Sequence, residues 1–208
     1  DVTGSTIDCV SVVTGAGCPY GCMYCPYPIG YGRKVIHKSI ALIIDEVEFL
    51  KSNFGITGFL FEDELFTHDV KRVEGICDEM IRRQLNVRWY AQARVNEVNA
   101  GLLAKMKSAG CFRIHYGVET GSPEMLRKTG KPGLDTQMVR DVFRMTKEMG
   151  LATTAHMMLG LPGENRETLA RSFELLRQIN PDHANLNLTT PYPGTRLFRL
   201  ADEKGWIS

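Results

Sequence analysis

The chain lacks any apolar run near the roughly 20 residues that span a bilayer, so no membrane-crossing helix is expected. Its first residues, D-V-T-G-S-T-I-D, have neither the charged start nor the apolar stretch of a secretion signal, and the expected compartment is the cytoplasm. An excess of one charge is missing too. With 25 basic residues against 24 acidic ones, there is no field to hold a nucleic-acid backbone and no basic run for a membrane surface. Any partner must then be selected by a shaped site. No low-complexity linker divides the 208 residues, which are 43% hydrophobic and sufficient to bury a core. A single domain, 1-208, is the expectation; further domains are expected only in a longer parent chain.

Cysteine is scarce, six in all, yet Cys18, Cys22 and Cys25 crowd into eight positions. Such crowding in a chain of ordinary core-forming composition argues for a metal site in a reducing compartment rather than a disulfide framework. Gly17, Pro19, Gly21 and Pro26 shape a loop that can turn all three thiolates toward one point. What is missing is a fourth ligand. Structural zinc wants a second Cys or His pair, and His37 is the only histidine a short distance downstream. A ferredoxin-type carrier uses four cysteines, whereas Cys9, Cys77 and Cys111 are scattered over separate elements and read as small buried core residues. A cuboidal 4Fe-4S cluster held by only three thiolates keeps one iron open for something else. A non-enzymatic iron-sulfur or zinc protein is the competing class.

Short apolar runs rich in β-branched residues alternate with longer amphipathic segments. The strands are expected at Cys9 to Thr14, Thr57 to Phe61, Val87 to Ala91, Phe112 to Val118, Thr153 to Leu159 and Ala184 to Thr189. Ser39 is placed to cap a helix whose Ile40, Ile43, Ile44, Val47 and Leu50 form one stripe. Val70, Val73, Ile76, Cys77, Met80 and Ile81 repeat the pattern, and so do Val139, Val142 and Phe143. Serial strand-helix units imply parallel strands with right-handed crossovers. Polar or glycine-rich motifs follow nearly every strand, which suits one shared mouth. The fold expected is α/β, a partial TIM-like (βα)6 open barrel with parallel strands. His115 and His156 fall within strands and read first as satisfied core histidines; Trp89 and Tyr90 read as strand core.

The spacing of Cys18, Cys22 and Cys25, with the aromatic Tyr24 directly before the third, resembles the signature of the radical SAM superfamily, and the resemblance runs from Cys18 to about Trp206. It implies that S-adenosylmethionine chelates the open iron and is cleaved reductively to a 5'-deoxyadenosyl radical that abstracts hydrogen. It also implies cofactor contacts after each strand. Glu62, Asp63 and Glu64 stand where the family places polar groups for the methionine amino group, with Asp63 or Glu62 the first choices; the usual glycine-glycine-glutamate form is absent. Glu119 occupies the position that bonds ribose hydroxyls or the methionine group, Gln92 and Arg94 are further candidates, and Met158 before G-L-P-G-E meets the adenine. A flavodoxin or ferredoxin-type reductant is implied.

The set C-P-Y-G-C-M-Y-C-P-Y-P, F-E-D-E-L-F-T, G-V-E-T-G-S, G-L-P-G-E and P-Y-P-G-T is similar to the branch that often carries a cobalamin-binding domain, many of whose members methylate unactivated carbon. Cobalamin is implied only for a domain not present here. A cyclase, coupling enzyme or methylthiotransferase without cobalamin is the alternative within the family.

Overall fold

The computed structural model describes residues 9–131 and 133–207. The elements run β1 (Cys9–Val12), β2 (Gly15–Ala16), α1 (Tyr27–Tyr31), β3 (Ile36–His37), α2 (Ile40–Phe54), β4 (Gly58–Phe61), α3 (Val70–Arg82), β5 (Arg88–Ala93), α4 (Ala100–Ser108), β6 (Cys111–Glu119), α5 (Pro123–Thr129), α6 (Thr136–Glu148), β7 (Ala152–Leu159), α7 (Arg166–Ile179), β8 (His183–Leu188) and α8 (Arg196–Glu203). Six strands form one parallel sheet in the order β1-β4-β5-β6-β7-β8. Strand order follows chain order, each crossover carrying at least one helix, and the sheet curls into a half barrel. The short β2 and β3 pair antiparallel on either side of the cysteine loop.

The helix starts obey local chemistry. Ser39, Asp69, Asn99, Ser122, Asp135, Asn165 and Thr195 each accept a backbone N–H of the first turn, so orphan donors are satisfied where α2 to α8 leave their loops. The apolar stripes then face the sheet: Ile43, Ile44 and Val47 of α2 and Val73, Ile76, Cys77 and Met80 of α3 are buried. They meet alternate strand residues, Phe59, Phe61, Trp89, Ala91, Ile114 and Tyr116. Phe61 stacks on Phe66 at 5.1 Å and lies 5.2 Å from Trp89, whose indole N–H donates to the Ala109 carbonyl at 2.8 Å. The opposite set of strand residues, including Tyr90, Gln92, His115 and His156, turns into the half barrel, so Trp89 is core and Tyr90 is not. Cys77 and Cys111 are buried, as expected. Cys9 is exposed instead, because it begins edge strand β1 on the face opposite Val10 and Val12. Among the described residues, no helix is long and apolar enough to cross a membrane.

Candidate active site at the mouth of the half barrel

A cavity of about 400 Å³ opens where the strands end. Cys18, Cys22, Tyr24, Cys25 and Tyr27 of the cysteine loop form one wall; Glu62, Gln92, Arg94, Glu119, Met158 and Asn187 reach it from successive strand ends. The loop is held from several directions. Gly17 adopts φ 94°, and a Cβ there would stand 2.0 Å from the Lys34 carbonyl, so only glycine lets the chain pass. Its N–H donates to Glu64 Oε2 at 3.1 Å. Further on, the Met23 N–H donates to Thr129 O and the Met23 carbonyl accepts from the Leu197 N–H, both at 2.9 Å, while the Arg196 guanidinium donates to Gly21 O at 2.6 Å.

The thiols suit an iron-sulfur cluster. Cys18 and Cys25 receive the backbone N–H groups of Tyr20 and Tyr27, donors that favour thiolate, although burial pushes Cys18 up and Cys25 up to about 11. Among the described residues, no three His, Cys, Asp or Glu side chains converge closely enough to hold a single metal ion. Three thiols on one wall of the cavity, with no fourth cysteine among its lining residues, are a donor set that fits a 4Fe-4S cluster with one iron left open.

The strand-end carboxylates divide into two groups. Asp63 is buried away from the cavity lining, and its oxygens accept from the Thr14 N–H at 2.6 Å, the Thr14 hydroxyl at 2.5 Å and the Gly15 N–H at 2.9 Å. The Arg72 guanidinium, donating to Thr14 O at 2.8 Å, completes this clamp on the entry to the cysteine loop. Glu62 and Glu64, by contrast, line the cavity. Expectation and structure thus differ on Asp63, whose acceptor capacity is used by the backbone it anchors.

Glu119 ends β6 with φ 68°, a left-handed conformation costly for a non-glycine residue, beside a register shift between Gly117 and Glu119. The kink turns its carboxylate to the Lys131 ammonium at 2.6 Å, both side chains being about nine-tenths buried. Lys131 also donates to Gly117 O at 2.6 Å. Tyr24 hydrogen-bonds Glu119, and its hydroxyl is pushed well above the usual tyrosine range by burial and then by that carboxylate. Met158 packs with Met125, Leu161 and Tyr24 as an apolar ledge. The Arg94 guanidinium lies 3.7 Å over the Tyr20 ring and donates to Asn96 at 3.1 Å, while the Tyr20 hydroxyl donates to Glu97 at 2.8 Å. Lys131, Tyr27, Asn187 and Tyr192 line the cavity without having been singled out in the sequence. Tyr27 and Tyr192 lie within the motifs C-P-Y-G-C-M-Y-C-P-Y-P and P-Y-P-G-T, and Lys131 is a lone cation in the glycine-proline turn T-G-K-P-G.

His115 and His156 also differ from expectation. Both face the cavity, with His156 Nε2 3.4 Å from His115 Nδ1, and His115 Nε2 is buried with no hydrogen-bond partner. Burial, followed by the neighbouring His156, holds the His115 pKa down to about 4. Above pH 6.5 the imidazole is neutral in folded and unfolded chains, and its contribution to stability is complete. As pH falls from 6.5 toward 4 the unfolded chain takes the proton first, so stability drops by up to about 3 kcal/mol. His115→Gln should remove this limb, as read from urea midpoints between pH 7 and pH 5; parallel pH slopes in the two proteins would refute it.

Known proteins are similar to this chain in sequence and in fold. Residues 12–176 match the model of the Radical SAM superfamily. An uncharacterized methyltransferase of Pyrococcus horikoshii is 32% identical over 91% of this chain and 41% of its own length. An anaerobic magnesium-protoporphyrin IX monomethyl ester cyclase of Rubrivivax gelatinosus is 30% identical over 90% of this chain and 34% of its own. This chain therefore spans well under half the length of these curated relatives. In structure it is similar to the radical S-adenosylmethionine methyltransferase TsrM from Kitasatospora setae, solved with cobalamin and a 4Fe-4S cluster, with a TM-score of 0.86 at 22% identity over 93% of this chain and 36% of that one. With the family model covering most of its length and the three cysteines on the wall of a half-barrel cavity, this chain belongs to the radical SAM superfamily.

Proposed function

We propose that this half barrel, taken as one core domain over 1-208, is the radical-generating part of a cobalamin-dependent methyltransferase acting on unactivated carbon. The observation that carries the reading is a cavity walled by Cys18, Cys22 and Cys25, with no fourth cysteine among its lining residues, and faced by strand-end carboxylates. Methyltransferases among the relatives support the reaction type. In this reading the three cysteines hold a 4Fe-4S cluster, and cobalamin is bound by another part of a longer protein. Together the cluster and S-adenosylmethionine supply a 5'-deoxyadenosyl radical that takes hydrogen from substrate. Glu62 and Glu64 offer carboxylates to the methionine ammonium, a charge-assisted contact. Glu119, fixed by Lys131, and Gln92 offer acceptors to the ribose or methionine groups. Tyr24 and Met158 give the cavity an apolar ledge on the side of the adenine. Arg94 acts chiefly by holding Tyr20 and, with it, the cysteine loop. A flavodoxin or ferredoxin-type protein is the proposed reductant.

Anaerobic reconstitution tests this. The chain should take up about four iron and four sulfide, change its absorption on adding S-adenosylmethionine, and release 5'-deoxyadenosine after reduction. The full-length protein, supplied with cobalamin and methyl-labelled S-adenosylmethionine, should pass label to product. Deoxyadenosine without label transfer favours a cyclase, like the Rubrivivax relative. One tightly bound zinc and no deoxyadenosine would overturn the enzyme reading.

A further inference from the structure

A second cavity, of about 510 Å³, lies at the other end of the sheet, where β5, β6 and β7 begin. Arg88, Lys107, Cys111, Phe112 and Arg113 line it together with Gly110 and Gly150. Three cations in one recess, with no acidic residue in its lining, already single it out. Their partners differ. Lys107 is tied to the Gly150 carbonyl. Arg88 and Arg113 share a single aromatic ring: the Arg88 guanidinium carbon lies 4.5 Å and that of Arg113 5.7 Å from the Phe112 centroid. A register shift between Trp89 and Tyr90 leaves Phe112 unmatched in the β5–β6 ladder, and so brings ring and guanidinium from adjacent positions to one recess.

Arg113 is the residue that needs explaining. It is only 8% exposed, and its Nε is buried with no hydrogen-bond partner. The acid that most favours its charge is Asp182, yet the Asp182 carboxylate accepts from the Thr153 N–H at 2.7 Å and the Thr153 hydroxyl at 3.0 Å. Among the described residues, Arg113 makes no ion pair and its side chain makes no hydrogen bond. A buried guanidinium Nε with no partner is costly, and a second arginine on the same ring adds like-charge repulsion. An oxyanion relieves both. The planar fork of arginine matches a carboxylate or phosphate, and the ring stacking holds it in place for such a ligand.

We propose that this recess at the base of the half barrel is an oxyanion-binding site, in which Arg113 and Arg88 bind the carboxylate or phosphate of a small ligand. It is independent of the radical chemistry at the mouth. The test titrates the cluster-loaded full chain with inorganic phosphate by calorimetry, at an ionic strength fixed with sodium chloride. One saturable site per chain is expected. Arg113→Met, which keeps the buried stem, should weaken it by about tenfold or more, the loss expected for hydrogen bonds to a charged group. Arg88→Ala should weaken it less, and Arg199→Ala, on exposed α8, should leave it unchanged. Parallel titrations with acetate and methyl phosphate tell which oxyanion the site prefers. Should Arg113→Met not fold, Arg113→Lys carries the test, since it keeps the charge and loses the fork. Phosphate that fails to saturate, or that binds the Arg113 variants as tightly as the parent, would overturn the proposal.

Discussion

Cys22→Ala is expected to fold and to take up no 4Fe-4S cluster, leaving no S-adenosylmethionine-dependent spectral change and no 5'-deoxyadenosine. Cys22 lies in the middle of the loop that walls the cavity, and the loop's attachments run through the backbones of Gly17, Gly21 and Met23 rather than through its thiol. Losing the thiol therefore removes a ligand without releasing the loop. Cys77→Ala is the informative contrast. Cys77 is wholly buried on α3 against the outer face of the sheet, so its loss should cost about 1 kcal/mol of packing and leave iron content unchanged. Iron analysis with circular dichroism on both variants decides the matter. A cluster that survives Cys22→Ala and disappears in Cys77→Ala would refute the ligand assignment.

The second large effect is expected at Lys131. Lys131→Met leaves the Glu119 carboxylate about nine-tenths buried with its cation removed, and breaking a buried pair in this way costs about 3–5 kcal/mol. For a chain of this size that corresponds to a fall in Tm of roughly 10 °C. Glu119→Gln alone strands the lysine and should cost a similar amount. The double variant removes both charges, and most of the stability should return, so the cycle reports a large coupling. Additive losses would mean that the two side chains do not act as a pair. On the proposed role of Glu119, deoxyadenosine formation should stay low in the double variant even as Tm recovers, because that carboxylate is still missing.

The strands and helices were legible because each obeys a strong local pattern. Ile43, Ile44 and Val47 recur at helical spacing, and Phe59 and Phe61 alternate with residues of the opposite face. The loop of Cys18, Cys22 and Cys25 was legible because their spacing is unusual. What the sequence hid was direction. Glu62, Asp63 and Glu64 are equivalent as letters, but Asp63 points back into the clamp on Thr14 while its neighbours face the cavity. Cys9 looked buried by residue type, yet whether an apolar residue is covered depends on its strand being central or at the edge. His115 and His156 required the register of β6 against β7, and Lys131 required the bulge at Glu119, both of which arise from long-range pairing.

The cysteine loop has one further consequence, for the order of events as the protein is made. Its last attachments, the bonds of Arg196 to Gly21 and of Leu197 to Met23, join residues about as far apart in the chain as this fold allows, with a separation of 175 positions for the first. A nascent chain emerging from the ribosome presents the three thiols long before the residues that brace their loop. The wall is complete only when α8 has left the exit tunnel and docked, so iron-sulfur insertion is expected after α8 emerges rather than as the cysteines themselves appear.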